Sequence, residues 1–424
     1  MLCVVVLIVV NTFYRFSIQT SRRFKTLSKV KMSTPSCSTT SAREVTPSFS
    51  STSTSEKDSA EENMSPEPSP STNPDYSSSP GLLSSPVLRN IDQNLYVARI
   101  RFDPTDGKGK GKKALELDAV YQDTLPSGSS VGTVVAVHGS PGSHADFKYI
   151  TPLLVAKGIR VIGINFPGFG QTEDHIDLSQ ENTERNTFVE ALLDGLDIRE
   201  RIVFLGHSRG AENAIKLSAR NIDRTIGTVV VAPSGLRVKN YVALPLTGLS
   251  LVRWTYESFS FLRPLIGFAA MNSYKVVLGL KPKTGRVAVN VMKSMSTAAL
   301  GDQGPYMERI MEHPHVRVLV MYTCKDHILD TQISREFAST LKDRKHFNVK
   351  TKEEFEDAEV AAAVKKELIS DTRPVTVEFA LDSHYMQKSR ARFIAEGIEA
   401  ICLGSLKKED EPESGDADEA PAFY

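Results

Sequence analysis

Ser208, Asp326 and His384 are the residues whose types and settings could do chemistry together in this chain. Ser208 is the centre of Gly206-His207-Ser208-Arg209-Gly210, directly after the apolar run Ile202-Val203-Phe204-Leu205. From there Ala211, Ala214, Ile215 and Ser218 recur at helical spacing, so the serine stands on a strand-to-helix turn. Glycine two residues to either side lets the backbone fold back without a Cβ in the way. Such a turn holds a hydroxyl above the strand ends, with the free N–H groups of a helix start behind it. A serine hydroxyl is a poor nucleophile at neutral pH and needs a base to take its proton. Histidine suits that task when a carboxylate fixes its tautomer and stabilises the imidazolium. Asp326 follows the apolar run 316–322, and His384 follows the run 375–380, so acid and base candidates also stand at strand ends.

The G-x-S-x-G turn resembles the nucleophile elbow of the α/β-hydrolases. That resemblance implies the order nucleophile, acid, histidine, which Ser208, Asp326 and His384 supply. It also implies an oxyanion hole made of two backbone N–H groups, from Arg209 and from Ser140 of His138-Gly139-Ser140-Pro141. His138 matches the family's His-Gly pair, where the implied role is structural. Asp330 and Asp382 are rival acids, but Asp330 reads as a helix start and Asp382 lies very near His384 along the chain. Thr323 and Asn165 stand where relatives often carry glycine and aspartate. The run from His138 to Phe147 is similar to an uncharacterised branch, a domain of unknown function.

The elements that would position these residues alternate. Leu95–Phe102 and Ala114–Tyr121 read as half-buried strands, joined by a solvated hairpin tip at Gly107–Lys113. Thr133–Val137 is a continuous apolar run, as a buried parallel strand requires, and Arg160–Ile164, Ile202–Leu205, Gly227–Ala232, Val316–Tyr322 and Val375–Ala380 read as further strands of the same sheet. Helices are expected at Asp146–Lys157, at Glu181–Leu196, after Ser208, and after His384, where Ala391, Ile394, Ala395 and Ile398 share a face. The fold class is therefore α/β: an α/β-hydrolase fold with a mostly parallel central sheet and helices on both faces. An inserted lid at about 236–314 carries Tyr241, Trp254, Tyr256, Phe259, Phe261 and Phe268, of which one or two are expected to line an apolar pocket. A charged helical stretch near Lys352–Leu368 reads as surface decoration.

Four parts are expected: an apolar and basic segment at 1–32, a Ser/Thr/Pro-rich disordered linker at 33–86, the hydrolase domain at 87–405, and an acidic disordered tail at 406–424. Residues 1–14 carry no charged side chain, and Arg15, Arg22, Arg23, Lys25, Lys29 and Lys31 follow before the first acid, Glu44. A short membrane anchor with the enzyme facing the cytosol is the first reading, a mitochondrial presequence the second, and a start at Met32 the third. With 51 basic and 51 acidic residues the chain offers no bulk electrostatic case for nucleic acid. Its 4 cysteines have neither metal nor disulfide-framework spacing, and nothing calls for a cofactor or metal. The expected activity is that of a serine hydrolase, cleaving a carboxylic ester or related acyl bond of a hydrophobic, lipid-like substrate through an acyl-enzyme. The alternative is a non-catalytic binding protein on the same fold.

Overall fold

The computed structural model describes residues 81–106, 114–237, 246–277, 281–352 and 357–409. The hairpin tip, the N-terminal segment with its linker to residue 80, Tyr241 and the tail from 410 lie outside the described residues.

Ten strands form one sheet: β1 (Val87–Asn90), β2 (Leu95–Phe102), β3 (Leu115–Asp123), β4 (Thr133–Val137), β5 (Arg160–Gly163), β6 (Ile202–His207), β7 (Thr225–Val231), β8 (Arg317–Thr323), β9 (Lys345–Val349) and β10 (Val375–Phe379), in the spatial order β1-β2-β3-β5-β4-β6-β7-β8-β10-β9. β1, β2 and β3 pair antiparallel, β3 pairs antiparallel with β5, and every later pair is parallel. The chain thus belongs to the α/β class with a mostly parallel sheet, as the apolar runs require.

Because strand side chains alternate, each central strand feeds two cores. Val135 and Val137 of β4, Ile202 and Phe204 of β6, and Val318 and Val320 of β8 face one core. Val134 and Ala136, Val203 and Leu205, and Leu319 and Met321 face the other. The first core is covered by α2 (Asn182–Gly195) and α3 (Arg209–Arg220), the second by α1 (Thr151–Val155), α9 (Ala358–Ser370) and α11 (Ala391–Glu409). The insertion between β7 and β8 holds α4 (Leu246–Ser258), α5 (Arg263–Val277), α6 (Gly285–Ser296) and α7 (Gly304–Met311). α4, α5 and α6 share a small core of their own, made by Val252, Tyr256, Leu262, Ile266, Ala270, Ala288, Val289 and Met292. α8 (Thr331–Ser339) and α10 (Met386–Ser389) follow β8 and β10.

Several expectations need correction. The folded part starts before Val87, since Leu82 is buried against the first core and bridges to Ile100. The helix expected at Asp146–Lys157 is instead a 3₁₀ turn at His144–Phe147 followed by the short α1, with Pro152 in its first turn. The edge strand β9 was not anticipated. α9 is no decoration, because Val364 and Leu368 are buried in the second core. At the C-terminus the helix α11 runs on to Glu409, past the boundary expected at 405.

Candidate active site

The elbow is built as the glycines require. A Cβ on Gly210 would lie 2.3 Å from the Val137 carbonyl oxygen, and one on Gly206 would lie 2.7 Å from the Ala211 Cα. No side chain fits either contact, so β4, β6 and α3 can close together only at glycine. Ser208 itself takes φ 54° and ψ −122°, a conformation that costs a non-glycine residue about 1–3 kcal/mol. Its N–H donates to the Val231 carbonyl at 3.0 Å, and its own carbonyl accepts from Ala211 N–H at 3.0 Å, which pins the turn to β7 and starts α3.

The structure pairs the other two candidates with each other and places His384 in the lining of the cavity that Ser208 also lines. His384 Nδ1 lies 2.6 Å from Asp326 Oδ2, both side chains being almost wholly buried. Asp326 Oδ1 accepts from the Ile328 and Leu329 N–H groups, each at 2.8 Å. Burial opposes ionisation of Asp326, yet the bonds from His384 and these two backbone donors outweigh it and hold the carboxyl below the usual carboxylate range. With Asp326 ionised, Nδ1 carries the proton and Nε2 presents its lone pair. Ser208 and His384 line one cavity, with no hydrogen bond between their side chains among the described contacts. Bonds of this kind commonly tighten only when substrate is bound.

Neither rival acid competes. Asp330 is the N-cap of α8, its Oδ1 accepting from Gln332 N–H at 3.0 Å. Asp382 accepts from Arg390 Nε at 2.9 Å and from Ser389 Oγ at 2.6 Å, anchoring the loop that carries His384. Ser140 and Arg209 both line the cavity, and Ser140 Oγ is buried without a hydrogen-bond partner among the described residues. His138 is structural: its Nδ1 meets the Gly139 carbonyl at 2.6 Å and its Nε2 accepts from Phe166 N–H. Burial, reinforced by Arg185, pushes its pKa down to about 3, so it stays neutral. Asn165 ties the chain together, with Oδ1 accepting from His144 N–H at 3.0 Å and Nδ2 donating to the Val120 carbonyl at 2.9 Å. Thr323 Oγ1 donates to the Asp382 carbonyl.

Several residues of the site were given no role by the sequence, although His207 stands inside the elbow motif. His207 Nε2 donates to the His384 carbonyl at 3.0 Å while its Nδ1 faces Gln387 Nε2 at 3.4 Å, so the elbow's own histidine holds the backbone of the other. Burial, then the neighbouring His384, pushes the His207 pKa down to about 3, and it stays neutral in this role. Asp146 lines the cavity, its carboxyl pushed up to about 7 by burial against the opposing bond from Ser143 N–H. Of the lid aromatics none of the described five lines the cavity; Tyr274 of α5 does. Trp254, Phe261 and Phe268 instead face outward, exposed. The cavity is about 210 Å³, walled on the lid side by Val291, Met295 and Leu300 and on the other by Ile328, Leu329 and Ile333. Among the described residues no cluster of His, Cys, Asp or Glu is suited to a metal ion.

A parallel sheet, a strained serine on a glycine-flanked turn, and a buried His–Asp pair at neighbouring strand ends define the α/β-hydrolase class. Comparison with known proteins makes the assignment narrower. Residues 99–403 match the family described as "Alpha/beta hydrolase of unknown function (DUF1057)", and the chain belongs to it. It is 28% identical over 296 residues to an uncharacterized protein, F35H12.5, of Caenorhabditis elegans, a match covering 67% of this chain and 81% of that one. It is 31% identical over 135 residues to a 2-hydroxy-6-oxononadienedioate/2-hydroxy-6-oxononatrienedioate hydrolase of Cupriavidus pinatubonensis, covering 31% of this chain and 46% of that enzyme. The chain therefore spans under half the length of that enzyme. Among solved structures it is similar to a haloalkane dehalogenase of Bradyrhizobium elkani, at 15% identity and TM-score 0.47, covering 70% of this chain and 98% of the other.

Proposed function

We infer that this α/β-hydrolase is a serine hydrolase that cleaves a carboxylic ester or a related acyl bond. The observation that carries the reading is the 2.6 Å contact between buried His384 Nδ1 and Asp326 Oδ2, with His384 and Ser208 lining the same cavity in front of it. His384 Nε2 takes the Ser208 proton as Oγ bonds to the acyl carbon, and the carbonyl π electrons move onto oxygen. That oxyanion is met by the backbone N–H groups of Arg209 and Ser140, each of a kind worth about 2.7–4 kcal/mol in transition-state stabilisation. Imidazolium then protonates the leaving oxygen, and water, deprotonated by the same nitrogen, releases the acid from the acyl-enzyme. A serine at the elbow argues against haloalkane dehalogenation, which in this fold uses an aspartate there. The aliphatic walls suit an apolar acyl chain. At about 210 Å³ the cavity is smaller than the about 300–1,000 Å³ usual for drug-sized ligands, which favours a short one.

A fluorophosphonate probe should label the wild-type protein and fail to label Ser208→Ala and His384→Ala variants of unchanged thermal stability. Equal labelling of Ser208→Ala would place the reactive group elsewhere, and an unlabelled, folded wild type would sink the reading.

Residues 1–14, apolar and followed by a basic cluster, are read as holding this enzyme at a membrane with the hydrolase domain facing the cytosol. The exposed Trp254, Phe261, Leu265 and Phe268 of the lid suit the same surroundings. The full chain should then sediment with membranes, and residues 33–424 should not; a full chain wholly in the soluble fraction would end this proposal.

A further inference from the structure

Beneath the lid helix α6 the protein buries more positive charge than it pairs. Arg185 of α2 and Arg209 and Lys216 of α3 are all at most 5% exposed, and the carboxylate among them is Glu212. Glu212 accepts from Arg209 Nη1 at 2.7 Å and from Lys216 Nζ at 2.9 Å, and also from Asn182 and the Ala299 N–H. Oε1 takes three of these donors and Oε2 the Arg209 guanidinium, and no hydrogen bond from Arg185 reaches Glu212 among the described residues. Arg185 is left with one hydrogen bond, Nη1 to Ser294 Oγ at 3.1 Å, and its Cζ stands 3.8 Å over the Phe166 ring. Glu184, its neighbour in sequence, is occupied by Ser179 and the Gln180 N–H.

The groups left over have a particular shape. Arg185 Nε and Nη2 and Arg209 Nη2 are buried with no partner among the described residues. Nε and Nη2 form the edge of a guanidinium that grips a carboxylate with two parallel bonds. This chain uses that same edge elsewhere: Arg160 donates Nε to Asp123 Oδ1 at 3.0 Å and Nη2 to Asp123 Oδ2 at 2.7 Å, in the interior. On Arg185 that edge meets no acceptor among the described residues. A buried cation without an anion is costly, and burial first, then the charge of Arg209, pushes the Arg185 pKa well below the arginine range against the pull of Glu212.

Arg209 adjoins the cavity, and Arg185, which is not part of the lining, is linked to it through Ser294. The Arg209 Nε donates to the Ser294 carbonyl at 3.2 Å, so both arginines hold the residue next to Met295 of the cavity wall. The Arg209 N–H is also the oxyanion donor named above, so its guanidinium lies one side chain away from the reacting carbonyl. We propose that Arg185 and Arg209 form an anion subsite behind the catalytic cavity, and that the acyl group this enzyme accepts ends in a carboxylate. This rests on the esterase reading and adds to it the class of substrate: a half-ester of a short dicarboxylic acid, or a close acyl relative. The aliphatic walls pack the chain between the two carboxyl carbons, and the arginines hold its far end.

The test compares monomethyl succinate, glutarate and adipate with methyl butanoate, pentanoate and hexanoate, in which a methyl replaces the carboxylate. At one chain length the acidic ester should exceed its neutral partner by about tenfold or more in kcat/KM. Arg185→Met should lower that ratio by about tenfold, and Arg185→Lys, which keeps the charge but not the fork, by less. Neutral esters preferred at every length, or a ratio unmoved in Arg185→Met, would overturn the subsite. Binding is read separately on Ser208→Ala at constant ionic strength. There monomethyl glutarate should raise the unfolding temperature by about 2 °C or more while methyl pentanoate does not. That arm decides the subsite even where Arg185→Met does not fold, or where the wild type hydrolyses none of the esters and the esterase reading itself falls; equal shifts from both compounds would reject the subsite.

Discussion

Replacing Asp326 with asparagine is expected to lower acyl turnover by about 10⁴-fold while leaving the fold in place. The side chain keeps its size and its Oδ1 still accepts from the Ile328 and Leu329 N–H groups. What changes is the partner of His384 Nδ1. An amide NH₂ facing that nitrogen favours the tautomer with the proton on Nε2, which leaves no lone pair to take the Ser208 proton. The loss should fall on kcat, because Asp326 is held behind His384 and does not line the cavity. Asp330→Asn and Asp382→Asn are the controls: the first keeps the cap on α8, since the amide oxygen still accepts from Gln332 N–H, and the second removes the charge that meets Arg390 to hold a loop. Measuring ester hydrolysis and thermal unfolding on all three separates the cases. An Asp326→Asn enzyme within tenfold of wild type would mean that the His–Asp pair is not catalytic.

Glu212→Gln should cost about 3–5 kcal/mol of stability, the largest loss we expect from any single isosteric change. Glu212 has a fully buried side chain that neutralises Arg209 and Lys216 at once. A glutamine keeps the volume and one acceptor but leaves three buried cations with no anion among the residues that touch them. Breaking a buried pair from one side is worse than never building it, because the surviving charge stays out of water. Urea unfolding of wild type and variant at pH 7 checks this. A difference below about 1 kcal/mol would show that water or relaxation already relieves the cluster. A short dicarboxylic half-ester should restore part of the lost stability if the neighbouring arginines hold its free carboxylate.

How far the sequence could be read follows from where each signal comes from. Interior parallel strands are covered on both faces, so 134–137 and 318–322 are apolar without interruption and easily seen. β9 is at the edge of the sheet, and its Lys345-His-Phe-Asn-Val349 keeps polar residues toward water, which leaves no run to detect. Ser208, Asp326 and His384 were visible because each ends such a run. The second layer was hidden, since its contacts join distant parts of the chain: Arg185 meets Ser294, and His207 meets the carbonyl of His384. On its own, Arg185 reads as one more charged residue on a surface helix. Glu212 offered a trace, standing three residues after Arg209 and four before Lys216, spacings that place like partners on one helix face. The lid aromatics misled because size suggests lining, whereas Trp254, Phe261 and Phe268 turn outward and the lid lends the cavity Tyr274, Val291, Met295 and Leu300.

The lid's private core has a bearing on ancestry. α4, α5 and α6 bury Val252, Tyr256, Ile266, Ala288, Val289 and Met292 among themselves, with Leu262 of the turn between α4 and α5, while α6 lends Val291 and α5 lends Tyr274 to the core beneath. The insertion leaves from β7 and returns to β8, which are paired neighbours, so its two ends meet the sheet at a single seam. Drift in α4 therefore changes neither strand pairing nor the two principal cores. Acceptance of a new substrate and retention of a folded scaffold become separately heritable traits, with α5 and α6 as the parts on which both depend.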